Sequence, residues 1–108
     1  MISRIWHGYT TVENADTYES LLQKEIFVGI ANRKIEGYLG IQLMRRELPT
    51  KTEFITIMRF DSVESVKKFA GEDYEKAVVP GTAQKVLSHY DKRSAHYVVK
   101  TNEYKDYL

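Results

Sequence analysis

Residues 54–60 (Phe-Ile-Thr-Ile-Met-Arg-Phe) favour a strand, yet they do not alternate cleanly between apolar and polar positions. With a side-chain period of two, Phe54, Met58 and Phe60 share one face while Ile55 and Ile57 share the other, so both faces ask for cover. Residues 2–9 read as an earlier strand. Asn14 then stands as an N-cap, with Asp16 in the first turn of a helix whose stripe is Tyr18, Leu21, Leu22, Ile26 and Ile30, ending near Asn32. Gly37 breaks the chain before a second strand at 38–47, and the polar turn at 49–52 joins it to the third as a hairpin. Asp61 and Ser62 cap a short amphipathic helix through Val63, Val66, Phe69 and Ala70, which Gly71 ends. Residues 72–79 predict one or two further helical turns before Pro80-Gly81, and residues 84–87 one more. A last strand is expected within 89–99.

The order strand-helix-strand-strand-helix-strand predicts an α+β fold of the ferredoxin-like β-α-β-β-α-β type, with a four-stranded antiparallel sheet. Right-handed crossovers put both helices on one face of that sheet and leave the other bare. A second copy of the chain laid on the bare face gives a dimeric α+β barrel, so the expected partner is a second subunit bound through the sheet face. The single domain is expected over 1–99, followed by a polar tail at 100–108 that is apolar only at Tyr104, Tyr107 and Leu108.

Composition narrows the function classes. The 108 residues carry 16 Lys+Arg against 15 Asp+Glu, with the basic residues scattered, which removes the bulk electrostatic case for nucleic acid or an anionic membrane. There is no cysteine, and no apolar run approaches a membrane span, so a soluble cytoplasmic protein is expected. Eight Tyr, four Phe and one Trp are many for so small a domain and suit a pocket for a flat ligand. No phosphate-binding glycine loop, nucleophile elbow or metal-ligand spacing is present, and neither a metal nor another cofactor is expected.

Two strings, Arg4-Ile5-Trp6-His7-Gly8 and residues 69–78 (Phe-Ala-Gly-Glu-Asp-Tyr-Glu-Lys-Ala-Val), together with His96-Tyr97, resemble a small bacterial branch of the antibiotic-biosynthesis monooxygenase superfamily over about residues 1–99. The resemblance implies a dimeric barrel that binds a small aromatic or quinol-like molecule and acts as a cofactor-independent monooxygenase. A non-catalytic ligand-binding or stress-associated dimer is the alternative, and a heme-binding protein a third. The heme-degrading branch places a Trp where this chain has Phe69 or a neighbour, and an axial His near the position of Val78, so the chain departs from it at two of three functional positions.

His7 is the candidate catalytic residue, a general base toward a phenolic hydroxyl, since an imidazole titrates near neutral pH. It shares a strand face with Ile5 and Tyr9, while Trp6 lies on the opposite face with Ile2 and Arg4. His7 is expected to line the pocket between helices and sheet, and Trp6 to anchor the dimer. Tyr9, Arg59, Phe69, Tyr74 and His96 are the candidate ligand-binding residues, Arg59 as a bidentate partner for a carboxylate or phenolate. His89 and His96 are an odd number apart, so in an uninterrupted strand they face opposite ways.

Overall fold

The computed structural model describes residues 1–104 and forms an α+β fold. β1 (Ile2–Thr10), β2 (Tyr38–Glu47), β3 (Thr52–Phe60), β4 (His89–Tyr90) and β5 (Ala95–Val98) make one sheet in the order β2-β3-β1-β4, with β5 also paired to β1. All the pairings are antiparallel. The expected last strand is thus two short strands on one edge of β1. The register moves from Tyr9↔His89 to Ile5↔Ala95, which leaves two extra residues in the 91–94 segment. An even insertion preserves facing, so His89 and His96 do lie on opposite sides.

The first helical segment is continuous but not uniform: α1 (Ala15–Leu21), a π-helical stretch (Leu22–Ile26) and α2 (Phe27–Asn32). Asn14 occupies the N-cap position without capping through its side chain, whose Nδ2 instead donates to the Val86 carbonyl at 3.4 Å. α3 (Val63–Ala70) is capped by Ser62, which accepts from the Ser65 amide, and ends at Gly71 with φ 93°. Gly37 is required at the entrance to β2: φ is 86°, and a Cβ there would sit 1.9 Å from Ser65 Oγ.

Residues 72–79 are not helical, contrary to the expectation, and the helical turn expected at 84–87 lies earlier, as α4 (Gly81–Gln84). The physical reason lies in the pairing of the 72–79 strap. Its backbone bonds the 91–94 segment through Ala77 N to Lys92 O (2.9 Å) and Ser94 N to Glu75 O (2.6 Å), and its carbonyls receive Arg4. Of the polar tail, residues 100–104 have no regular secondary structure, and Tyr107 and Leu108 lie outside the described residues.

Even positions of β1 and β3 face the helices, and their apolar side chains form two core clusters. One joins Trp6, Ala15, Tyr18, Leu22, Phe54 and Leu87; the other joins Ile2, Met58, Phe60, Val66 and Phe69. The opposite sheet face carries Ile5, His7, Ile55 and Ile57, and no described element of the same chain covers it. No helix among the described residues is long and apolar enough to cross a membrane.

Candidate functional site

The seam between the two clusters holds the site. Along β1 the inward row runs Ile2, Arg4, Trp6, so an arginine falls where the core divides; along β3 the row Phe54, Thr56, Met58 places a threonine there. A cavity of about 60 Å³ lies at this seam, walled by Arg4, Trp6, Tyr18, Leu22, Phe69 and Val78 among others. The π-helical stretch and α2 supply Leu22, Ile26, Phe27 and Ile30 to its wall. Ile26, Ile30, Phe69, Val78 and Pro80 also line an outer groove of about 290 Å³, rimmed by Arg33, so the cavity continues to the surface between α2 and the 78–80 segment.

Trp6 is held in the wall by two features. Its Nε1 donates to the Asp91 carbonyl at 2.9 Å. Its six-membered ring lies back over Gly8, where a Cβ would come within 2.5 Å of Trp6 Cη2. Tyr18 meets Phe54 edge-on at 4.9 Å, and burial pushes its phenol well above the ordinary range, so it stays a donor. Arg4 is only 3% exposed. Its Nη1 donates to the Tyr74 carbonyl and lies 3.0 Å from His96 Nε2, and its Nη2 donates to the Lys76 carbonyl at 3.1 Å. Burial lowers its pKa to about 10, which leaves it protonated at neutral pH. A guanidinium only donates, so His96 Nε2 accepts and the imidazole is neutral, with its proton on Nδ1. Burial and the Arg4 charge both depress the His96 pKa, in keeping with that state, and the buried Nδ1 has no partner among the described residues.

Three of the residues singled out from sequence converge here. Phe69 lines the cavity, and its ring lies 5.4 Å from the Arg4 guanidinium. Tyr74 supplies a carbonyl to Arg4 and meets His96 edge-on at 5.2 Å. The other three do not join them. His7, Tyr9 and Arg59 occupy the opposite face of the sheet, so the expectation that His7 lines the helix–sheet pocket and Trp6 the dimer face is reversed. The helices cover the even positions of β1, where Ile2 and Trp6 join the two core clusters. On the bare face His7 Nδ1 lies 3.1 Å from Glu53 Oε2, the Tyr9 hydroxyl donates to the same oxygen at 3.3 Å, and Arg46 holds Oε1 at 2.8 Å. Those contacts keep the Glu53 carboxyl below its ordinary range, the His7 hydrogen bond contributing most. Arg59 donates to Ser3 Oγ.

Sequence reasoning passed over Arg4. Its signal was present: an arginine flanked at i±2 by Ile2 and Trp6 on one strand face has a cation inside an apolar row. Among the described residues no cluster of three or more His, Asp or Glu side chains could hold a metal ion.

No family model matches the sequence, and no curated protein matches it. Among solved structures, the chain is similar to the crystal structure of a Bacillus cereus protein described as a candidate antibiotic-biosynthesis monooxygenase, with a TM-score of 0.67, 13% identity, and coverage of 96% of this chain and 97% of that one. At this identity the likeness is one of fold alone.

Proposed function

We propose that this protein is a homodimer that binds a small aromatic or quinol-like molecule in the helix–sheet cavity and oxygenates it without a bound cofactor. The observation that carries the reading is the cavity at the seam of the core: aromatic walls from Trp6, Tyr18 and Phe69, polar groups at Arg4, Thr56 and Ser94, and continuity with a surface groove. That lining suits a small-molecule site, and the usual size of about 300–1,000 Å³ is approached when the groove of about 290 Å³ is taken with the cavity. The full-length likeness to a candidate monooxygenase supports the reaction class. In that reaction an electron-rich phenol and O₂ yield a quinone and water: one oxygen atom enters the ring, the other leaves as water, and the ring supplies four electrons.

Dimerisation is supported by the bare sheet face, where Met44 is 40% and Tyr97 59% exposed beside Ile5, Ile55 and Ile57. A partner covering about 800 Å² per subunit would bury that row. Light scattering at micromolar concentration is expected to give twice the chain mass. For the reaction, an oxygen electrode run with a panel of phenols and hydroquinones, followed by mass spectrometry after ¹⁸O₂, is expected to show protein-dependent uptake and one labelled oxygen in the product. Phenols that quench Trp6 yet show no uptake above background would overturn the oxygenase and leave a binding protein.

That second reading, a non-catalytic binder, has a specific observation in its favour. Among the described residues the cavity wall contains no carboxylate and no imidazole, and His7 lies on the other face. A heme-binding role has less support, since Val78 in the wall is apolar; a Soret band on hemin titration would revive it.

A further inference from the structure

We infer that the molecule taken up by this cavity carries an anionic oxygen, a carboxylate or an ionised phenol, which docks on Arg4. The inference rests on the reading of the cavity as a binding site and adds the charge of its occupant.

Arg4 is a buried cation with no carboxylate partner among the described residues. Arg45, Arg46 and Arg93 each hold a carboxylate, at 2.8 Å from Asp16, Glu53 and Asp73 respectively. Arg4 is far more buried than these, yet its partners among the described residues are two carbonyls and a neutral imidazole nitrogen. Burying a cation is costly unless an anion and hydrogen bonds offset it. The carbonyls belong to the irregular strap at 74–76, so no helix C-terminus contributes a dipole. Glu75 in that strap is engaged by Arg93 at 3.3 Å. Nη1 is fully used and Nη2 half used, while Nε makes no hydrogen bond to a described residue, and Arg4 is one of the residues that line the cavity.

A purely structural clamp between β1 and the strap needs donors, not a charge. The chain has instead placed a full positive charge in the wall of an apolar cavity. At the outer groove the guanidinium of Arg33 lies 5.2 Å from the same Phe69 ring and has no carboxylate partner among the described residues, although its bonds to the Lys68 and Phe69 carbonyls at the end of α3 account for its position. The route from surface to cavity is thus mostly apolar, with Arg4 at its inner end and both Arg33 and Glu25 at the groove. An aromatic ring with an anionic oxygen at its leading edge matches that route, its ring against Trp6 and Phe69 and its oxygen on Arg4.

The test uses the full-length protein and its single tryptophan, which lines the cavity. Trp6 emission and titration calorimetry follow benzoate, 4-cyanophenol across its ionisation, and the neutral isostere benzamide. Benzoate is expected to bind about 10- to 100-fold more tightly than benzamide, the range of a hydrogen bond to a charged group. 4-Cyanophenol should gain affinity as it ionises, and comparison with benzoate identifies which anionic oxygen is preferred. Arg4→Lys should keep a preference for benzoate over benzamide, and a folded Arg4→Met should lose it. Should Arg4→Met fail to fold, the wild-type panel and Arg4→Lys still decide. Benzamide binding as tightly as benzoate would overturn the anionic assignment alone. Failure of every probe, charged or neutral, to bind would overturn the cavity as a site as well.

Discussion

Gly8→Ala puts one methyl group where the structure has no room. An ideal Cβ at Gly8 meets Trp6 Cη2 at 2.5 Å, Trp6 Cζ3 at 2.8 Å and Leu87 Cδ2 at 3.1 Å. The indole cannot tilt away freely, because its Nε1 is bonded to the Asp91 carbonyl and its ring belongs to the core. Overpacking of this kind costs about 1–3 kcal/mol. At about 4–8 °C per kcal/mol for a small domain, the melting temperature should fall by at least roughly 4 °C. Gly29→Ala makes the same chemical change in α2 with nothing within 4 Å of the new Cβ, and should stabilise by up to about 1 kcal/mol through helix propensity. Thermal melts followed by circular dichroism give the signs, and Trp6 emission reports the displacement, expected as a red shift in Gly8→Ala alone. In a Trp6→Leu background the Gly8→Ala cost should shrink, since the clashing ring atoms are gone. Wild-type melting and emission in Gly8→Ala would refute the placement of the indole over Gly8, and with it the cavity wall.

Phe60, fully buried between Tyr38 and Phe69, should cost about 3–5 kcal/mol on truncation to Ala, whereas Ile57→Ala on the bare face should spare the monomer and weaken the proposed dimer; melts and light scattering separate the two. The Glu53 carboxyl is depressed in the folded state relative to its ordinary 4.5, so the unfolded chain takes up the proton first, and the stabilisation present above that value is lost as pH falls through the folded pKa. Glu53→Gln should therefore flatten the acid limb of a melting temperature–pH profile below about 4.5 and leave its slope near neutrality unchanged. A benzoate-saturated sample should show slower amide exchange over the π-helical stretch and α2, whose side chains line both cavity and groove; unchanged exchange there would place the ligand elsewhere.

Much of the fold was legible because the local signals agreed with one another. The hairpin of β2 and β3, the Ser62 cap, the Gly71 terminator and the division of Phe54, Met58 and Phe60 from Ile55 and Ile57 all depend on residues near in sequence, and each stands as expected. The strap at 72–79 failed for the complementary reason. Its residues have helix-compatible spacing, but its backbone groups are used by residues 92 and 94, well onward in the chain, and by Arg4 some seventy residues before. No local pattern carries such pairings. The π-helical stretch is equally silent in sequence, because Leu22 and Ile26 satisfy an ordinary helical stripe as well as the wider turn.

The site was harder to read because it turned on one binary choice. In a strand whose side chains alternate, Trp6 and His7 must part, and deciding which goes inward assigns every other residue of β1 with it. Weighing His7 as chemistry favoured the odd row Ile5, His7, Tyr9. Summing the row instead would have favoured the even one: Ile2, Trp6 and Gly8 offer two large apolar groups and the gap into which the indole folds, whereas the odd row carries two groups that hydrogen-bond Glu53. The cost of that even choice is Arg4, drawn inward because its neighbours go inward. A chain under no demand for a cation there would be served by an apolar residue, as a buried ion pair often is. The same parity that removes His7 from the cavity therefore delivers a charge to it, and the chemistry to be tested moves from a base that takes a proton to a cation that holds an anion.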